Sequence, residues 1–342
     1  METASAEARA TVERGTLDGE PTWILTHPDG PRVVVAEAGA MVLAWQAPGA
    51  DGALVDLIDG YTSAAEIASL DGFRNAVLAP WSNRVRDARY TFNGVRHDLR
   101  PGRTGRREAL HGLVAGARWT RAHAGVRDSD RMIRLTTTVA PGDHPGYPFA
   151  LEVSATYSLG IGSEGEARLG VELAVTNIGE TAAPVALGWH PYLRLPGHAT
   201  IDDLELTVPA RARVLTDEAL VPLAGEQAYA GTAAPVRFPS LAGVSLDDAF
   251  TQLVPDGDGV VATVLRSPRT GESLTVEQEP HQASVVHVFT GDKLERGART
   301  SVAVEPCQLM ADAFNRADSA DGLVLAPGGQ HQLVSDIVYR RG

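Results

Sequence analysis

The sequence predicts one large antiparallel β domain, and three observations carry the prediction. Apolar residues alternate with polar ones in successive short runs. Glycine and proline, 35 and 21 of 342 residues, interrupt the chain so often that long helices have no room. Strand patterns recur from end to end without a linker, charge block or low-complexity segment. A chain of this length could hold two average domains, but β-sandwiches and barrels routinely run as long in one. No repeat of 20–50 residues is visible, which argues against a propeller.

In chain order, residues 1–12 are expected to be a flexible N-terminal segment, with the domain running from 13 to 342. A hairpin is legible at His27-Pro28-Asp29-Gly30. A short helix is predicted over 63–70, where Ser63 and Glu66 form a capping-box pattern. Leu151, Val153, Ala155, Tyr157 and Leu159 alternate with Glu152, Ser154, Thr156 and Ser158; Leu169, Val171, Leu173 and Val175 repeat the pattern. Between these runs, Gly160-Ile161-Gly162-Ser163-Glu164-Gly165 matches the dinucleotide fingerprint G-x-G-x-x-G. That fingerprint needs a helix next, to receive the pyrophosphate. Here a second strand follows, so the glycines are expected to form a hairpin loop. A further hairpin is expected at Ser267-Pro268-Arg269-Thr270-Gly271, and an alternating run over 331–339 closes the chain.

The apolar fraction of 44% suffices for a large core, and 21% charged residues is too few for a disordered chain. The formal net charge of −13 disfavours nucleic acid and anionic membrane as partners. Lys293 is the only lysine, so no Walker-type phosphate loop exists and a Schiff base is disfavoured. Cys307 is the only cysteine; it forms no intrachain disulfide or thiolate cluster and reads as a small core residue. No apolar run approaches ~20 residues, and the first twenty are acidic, so the protein reads as soluble and cytoplasmic. Metal-binding spacings such as His-Glu-x-x-His are missing, as is the Gly-x-Ser-x-Gly elbow of serine hydrolases.

What remains is a set of separated polar residues. His190 in Gly188-Trp189-His190-Pro191-Tyr192 and Glu305 in Val304-Glu305-Pro306 each precede a proline. Proline pushes its predecessor toward extended backbone, so both are expected at strand ends or a rim, on rigid non-helical backbone. An imidazole and a carboxylate so held are the minimum for general acid–base catalysis; each is equally readable as a polar residue ending a strand. Asn83-Arg84 follows Pro80-Trp81-Ser82, where the arginine could simply stack on tryptophan. His111-Gly112 reads as a loop, and Asp247-Asp248 as a turn within an apolar segment.

Taken in order, Asn83-Arg84, His111-Gly112, His190-Pro191-Tyr192, Asp247-x-x-Phe250 and Val304-Glu305-Pro306 resemble the motif series of the aldose 1-epimerase (galactose mutarotase) family. The similarity runs from near Gly39-Ala40-Met41 to the last strand. It implies a β-supersandwich and cofactor-free, metal-free interconversion of sugar anomers by a monomer or homodimer, with a small-molecule sugar as partner. By that resemblance Glu305 is the base at the C1 hydroxyl and His190 the acid at the ring oxygen. Arg84, His111 and Asp247 form the sugar-hydroxyl clamp, with Asn83 beside them. Reference pKa values of about 4.3 and 6.5 would give Glu305 and His190 complementary protonation near neutral pH. His287, in His287-Val288-Phe289-Thr290-Gly291, stands where galactose mutarotases often carry glutamine, and is expected to bind substrate. Asp248 stands where a histidine often follows the clamp aspartate, and the run from His111-Gly112 to Trp119 is short.

Three alternatives stay open. A hexose-6-phosphate 1-epimerase needs a cationic pocket, for which Arg103, Arg106 and Arg107 are available near His111. A glycoside hydrolase would use Asp247 and Glu305 as carboxylates about 5–9.5 Å apart. A non-catalytic sugar-binding module would have one of His190 and Glu305 misplaced.

Overall fold

Alternation becomes architecture in the computed structural model, which describes residues 12–100 and 109–342. Among these residues every pairing between strands is antiparallel, and helices are few and short. A nine-stranded sheet is centred on Leu151–Ile161, Ala167–Asn177 and Gln330–Arg340. The Gly160–Gly165 loop turns one of these strands into the next, and Gly162 N donates to Glu166 O at 2.8 Å. The fingerprint match is therefore a hairpin. The expected turns at residues 27–30 and 267–271 also join paired strands.

Period two decides what is buried. Leu151, Val153, Ala155, Tyr157 and Leu159 face inward with Leu333, Ile337 and Tyr339 from the closing strand. Opposite them lies an eight-stranded sheet whose inward row includes Val286, Val288, Val302 and Val304. Burying such side chains stabilises the fold by roughly 1.5–3 kcal/mol each. One hydrophobic cluster draws residues from Trp23 to Tyr339, so the two sheets and the N-terminal five-stranded sheet share a core. The odd-numbered neighbours His287 and Glu305 consequently emerge on the outer face of the second sheet.

The predicted helix is α1, Ala64–Ser69. Ser63 Oγ accepts from Glu66 N at 3.2 Å. The reciprocal half differs from the expected box: the Glu66 carboxylate accepts from Thr62 N at 2.8 Å, one residue before Ser63. Leu70, Phe73 and Asn75 then follow with φ of 54°, 50° and 56°, a run of left-handed residues that folds the chain back over the second sheet. Val12 already belongs to the first strand, one residue ahead of the expected boundary. The rest of the flexible segment expected over residues 1–12 lies outside the described residues, as do Arg103, Arg106 and Arg107. No helix of the described residues is long and apolar enough to cross a membrane.

Candidate active site

Three adjacent strands present their outer faces to one cleft. Asp247 comes from Asp247–Leu253, His287 from Val285–Phe289 and Glu305 from Val302–Cys307. His287 and Glu305 are direct cross-strand partners, and Asp247 is diagonal to His287. On the far side of Glu305 the next strand is broken into Gly188–Trp189 and Tyr192–Leu193, with His190-Pro191 in the break. His190 thus sits where the sequence placed it. Glu305 does not: it lies inside a central strand, with Pro306 paired to Val286.

A central proline is tolerated here because of that break. Val304 N donates to Pro191 O and Gln308 N to Leu187 O, so the nitrogen of Pro306 faces the same side. Its missing donor falls where the neighbouring strand has left the ladder. The local sequence therefore fixes both side chains at once.

His190 Nε2 and Glu305 Oε1 are 3.3 Å apart, with side chains 5% and 1% exposed. Among the described residues, His190 Nδ1 and Glu305 Oε2 have no hydrogen-bond partner. Burial lowers the His190 pKa to about 3 and raises that of Glu305 to about 8. Attraction between an imidazolium and a carboxylate at this distance opposes both shifts without changing the count. Over neutral pH the pair holds one proton. The reference values assumed from sequence put that proton on His190; desolvation moves it to Glu305 in the free protein.

Residues 73–84 and 111–112 cover the pair. Asn75 is fully buried; its amide donates to Val42 O and Asp59 O, and its carbonyl accepts from Tyr192 N at 2.8 Å. Asn75 N donates to His190 O and His190 N to Ala76 O, which pins the break in place. The Tyr192 ring lies parallel to that of His190, with centroids 5.0 Å apart. Arg74, ion-paired with Asp59, rests 5.1 Å over Tyr192. Phe73 packs on His111 at 4.7 Å. His111 has φ of 57°, and its Nδ1 accepts from Asn83 N at 3.2 Å, which places the ring proton on Nε2. At Gly112, with φ of 70°, an added Cβ would meet Ala79 O at 2.0 Å, so only glycine fits.

Arg84 turns to the acids rather than to Trp81. Its Nη1 donates to Asn83 Oδ1 at 3.2 Å, and Nη2 lies 3.7 Å from Asp247 Oδ2. Asp247 Oδ1 is 2.8 Å from His287 Nε2. Burial would raise the Asp247 pKa, but His287 and Arg84 hold it down to about 2. Burial likewise works against charge on His287, yet the facing carboxylates raise its pKa overall. With Glu305 protonated at neutral pH, Asp247 is the facing carboxylate that favours charge on His287.

All seven residues singled out from sequence (Asn83, Arg84, His111, His190, Asp247, His287 and Glu305) line one cleft of about 190 Å³. Asp248 does not; it pairs with Arg213 at 2.8 Å. The sequence reading missed the apolar walls, Phe73, Phe289 and Leu294, and the rim pair Asp71 and Lys293. Only the Asp71-Gly72 turn and the solitary lysine could have signalled them. Elsewhere, His198 bridges Asp203 at 2.8 Å and Ser267 at 2.9 Å, in the order of a hydrolase triad. Ser267 is wholly buried in a hairpin turn, where its Oγ also accepts from Thr270 N, so this cluster secures the turn.

An antiparallel β-sandwich with a buried carboxyl–imidazole pair under a small cleft has the groups that proton transfer to a small ligand would need. The aldose 1-epimerase family profile matches residues 21–337, and the chain belongs to that family of isomerases. Uncharacterized protein YihR of Escherichia coli is 28% identical over 273 residues, covering 78% of this chain and 79% of YihR. Galactose mutarotase of Homo sapiens is 27% identical over 224 residues, covering 64% of this chain and 60% of its own length. Among solved structures, a galactose mutarotase-like protein from Clostridium acetobutylicum aligns with a TM-score of 0.81 at 11% identity. That alignment covers 97% of this chain and 98% of the other.

Proposed function

We propose that this chain interconverts the α and β anomers of a free aldose, with Glu305 and His190 as the proton-transfer pair. The observation that carries the reading is their 3.3 Å contact at the buried end of the cleft. Ring opening of a hemiacetal removes a proton from the C1 hydroxyl and delivers one to the ring oxygen. Two groups this close can serve two oxygens on one carbon together.

In the complex with a cyclic sugar, Glu305 is the carboxylate and His190 the imidazolium. Glu305 takes the C1 hydroxyl proton, the C1–O bond of the ring breaks, and His190 protonates the departing ring oxygen. The open-chain aldehyde then faces a protonated Glu305 and a neutral His190, the distribution that burial favours. Rotation about C1–C2 exposes either face of the carbonyl. The same two groups, in swapped roles, close either anomer. The pair begins and ends with one proton, and the step draws none from solvent. Arg84, His111 and Asp247, with Asn83 bracing Arg84, act as the hydroxyl clamp, and Phe73 and Phe289 offer apolar surface to the sugar C–H groups.

Polarimetry on freshly dissolved α-anomers of several aldoses, with and without their 6-phosphates, tests the reading. Accelerated equilibration of at least one free aldose is expected. Rates no faster than buffer for every sugar would overturn it, and acceleration confined to 6-phosphates would favour the phosphosugar alternative.

A further inference from the structure

His287 was expected to bind substrate, but its position suggests other work. It stands directly across from Glu305 in register, on the same face of adjacent strands, where Cβ atoms are about 4.5–5.5 Å apart. Its Nε2 is fixed 2.8 Å from Asp247 Oδ1, so that nitrogen is committed to the aspartate rather than to a ligand. The aspartate is in turn fixed by Arg84. We propose that His287, kept charged by Asp247, is a positioning residue whose positive charge lets the Glu305 carboxylate form in its buried site.

The groups facing Glu305 leave this task to few candidates. His190 and Tyr192 come from the broken strand, Asp247 from two strands away, and Cys307 from its own strand. Arg84 and His111 come from the covering segment, with Arg74 behind Tyr192 and with Asp71 and Lys293 at the rim. Tyr192 and Cys307 are held neutral by burial. Asp247 and Asp71 oppose a second carboxylate. Arg84 is drawn to Asp247 and is partly solvated. His287 is the buried cation beside Glu305, and its attraction lowers the pKa that desolvation raises. Each pH unit by which that attraction lowers the midpoint is a tenfold gain in the population of the carboxylate that removes the C1 proton.

This inference rests on the aldose 1-epimerase reading, so its test has a part that needs no turnover. His287→Gln keeps a donor for Asp247 and removes the charge. In protein carrying ¹³C-carboxyl glutamate, the Glu305 signal is the one missing from Glu305→Gln. Its midpoint should rise by about 1–3 pH units in His287→Gln, as expected from losing one close charge. His287→Lys, which restores a cation, should bring the midpoint back toward wild type. In the anomer assay His287→Gln should lower kcat about tenfold for each pH unit that the midpoint rises, with KM within about threefold. An unmoved Glu305 midpoint overturns the inference, as does a rise in KM at unchanged kcat, which is the signature of a sugar contact. If wild type equilibrates no sugar, the functional reading falls while the carboxyl titration still decides the electrostatic claim.

Discussion

The pH dependence of kcat/KM tests the protonation scheme most directly. This parameter follows the free enzyme, and the scheme requires the Glu305–His190 pair to hold one proton. Whether that proton rests on one group or the other is kinetically indistinguishable, so the two limbs belong to the pair. With the shifts imposed by burial, the one-proton window runs from about 3 to about 8. At pH 7.5 about three-quarters of the enzyme is then competent. With ordinary values the window would close at about 6.5, leaving roughly a tenth at that pH. The two cases differ about eightfold, well within reach of polarimetry corrected for spontaneous equilibration. The expected profile is level from pH 5 to 7 and falls above 8. A loss of about fivefold between pH 6.5 and 7.5, as ordinary values require, would refute the claim that desolvation governs the pair.

Other perturbations follow from the same geometry. Glu305→Gln and His190→Asn should each lower kcat by at least ~10²-fold with modest change in KM, and the double variant should be hardly worse, because both act in one event; optical rotation measures this. Arg84→Ala should mainly raise KM. Glu305→Gln should also be the more stable protein at high pH. The folded pKa of Glu305 is raised, so its favourable contribution is complete below about 4.5 and is lost as pH climbs through about 8. At pH 9 the glutamine variant should lead by a few kcal/mol in denaturant titration and at pH 4 by nearly nothing. Gly112→Ala should cost about 2–4 kcal/mol, from a left-handed backbone and the Cβ contact at Ala79, and raise KM by displacing His111.

Much of the fold was legible because one face of each strand is buried. The runs at 151–159, 169–175 and 331–339 announce themselves by period two, and the glycine fingerprint is disarmed by the strand that follows it. Glu305 was misplaced for a related reason. All six residues of Val302–Cys307 are buried, and only the pairing reveals that Val304 faces the core while Glu305 faces the cleft. The rule that keeps proline at strand margins pointed to an end, and the compensating break lies over a hundred residues earlier. Protonation was less legible still, since desolvation depends on Phe73, Tyr192 and their neighbours closing over the pair. Asn75, which pins His190 through four hydrogen bonds of its side chain and backbone, carries no sequence signal of its own.

Lys293 has a practical consequence. It is the only lysine of the sequence, it is exposed, and it stands on the rim of the cleft. An amine-directed reagent therefore has one side-chain target in the whole chain, and that target overlooks the site. A fluorophore coupled there at high pH reports ligand entry without any engineered cysteine, and protection of the amine by a bound sugar becomes a footprint readable by mass spectrometry. The arginines that supply the other 29 positive charges are left untouched by the same reagent.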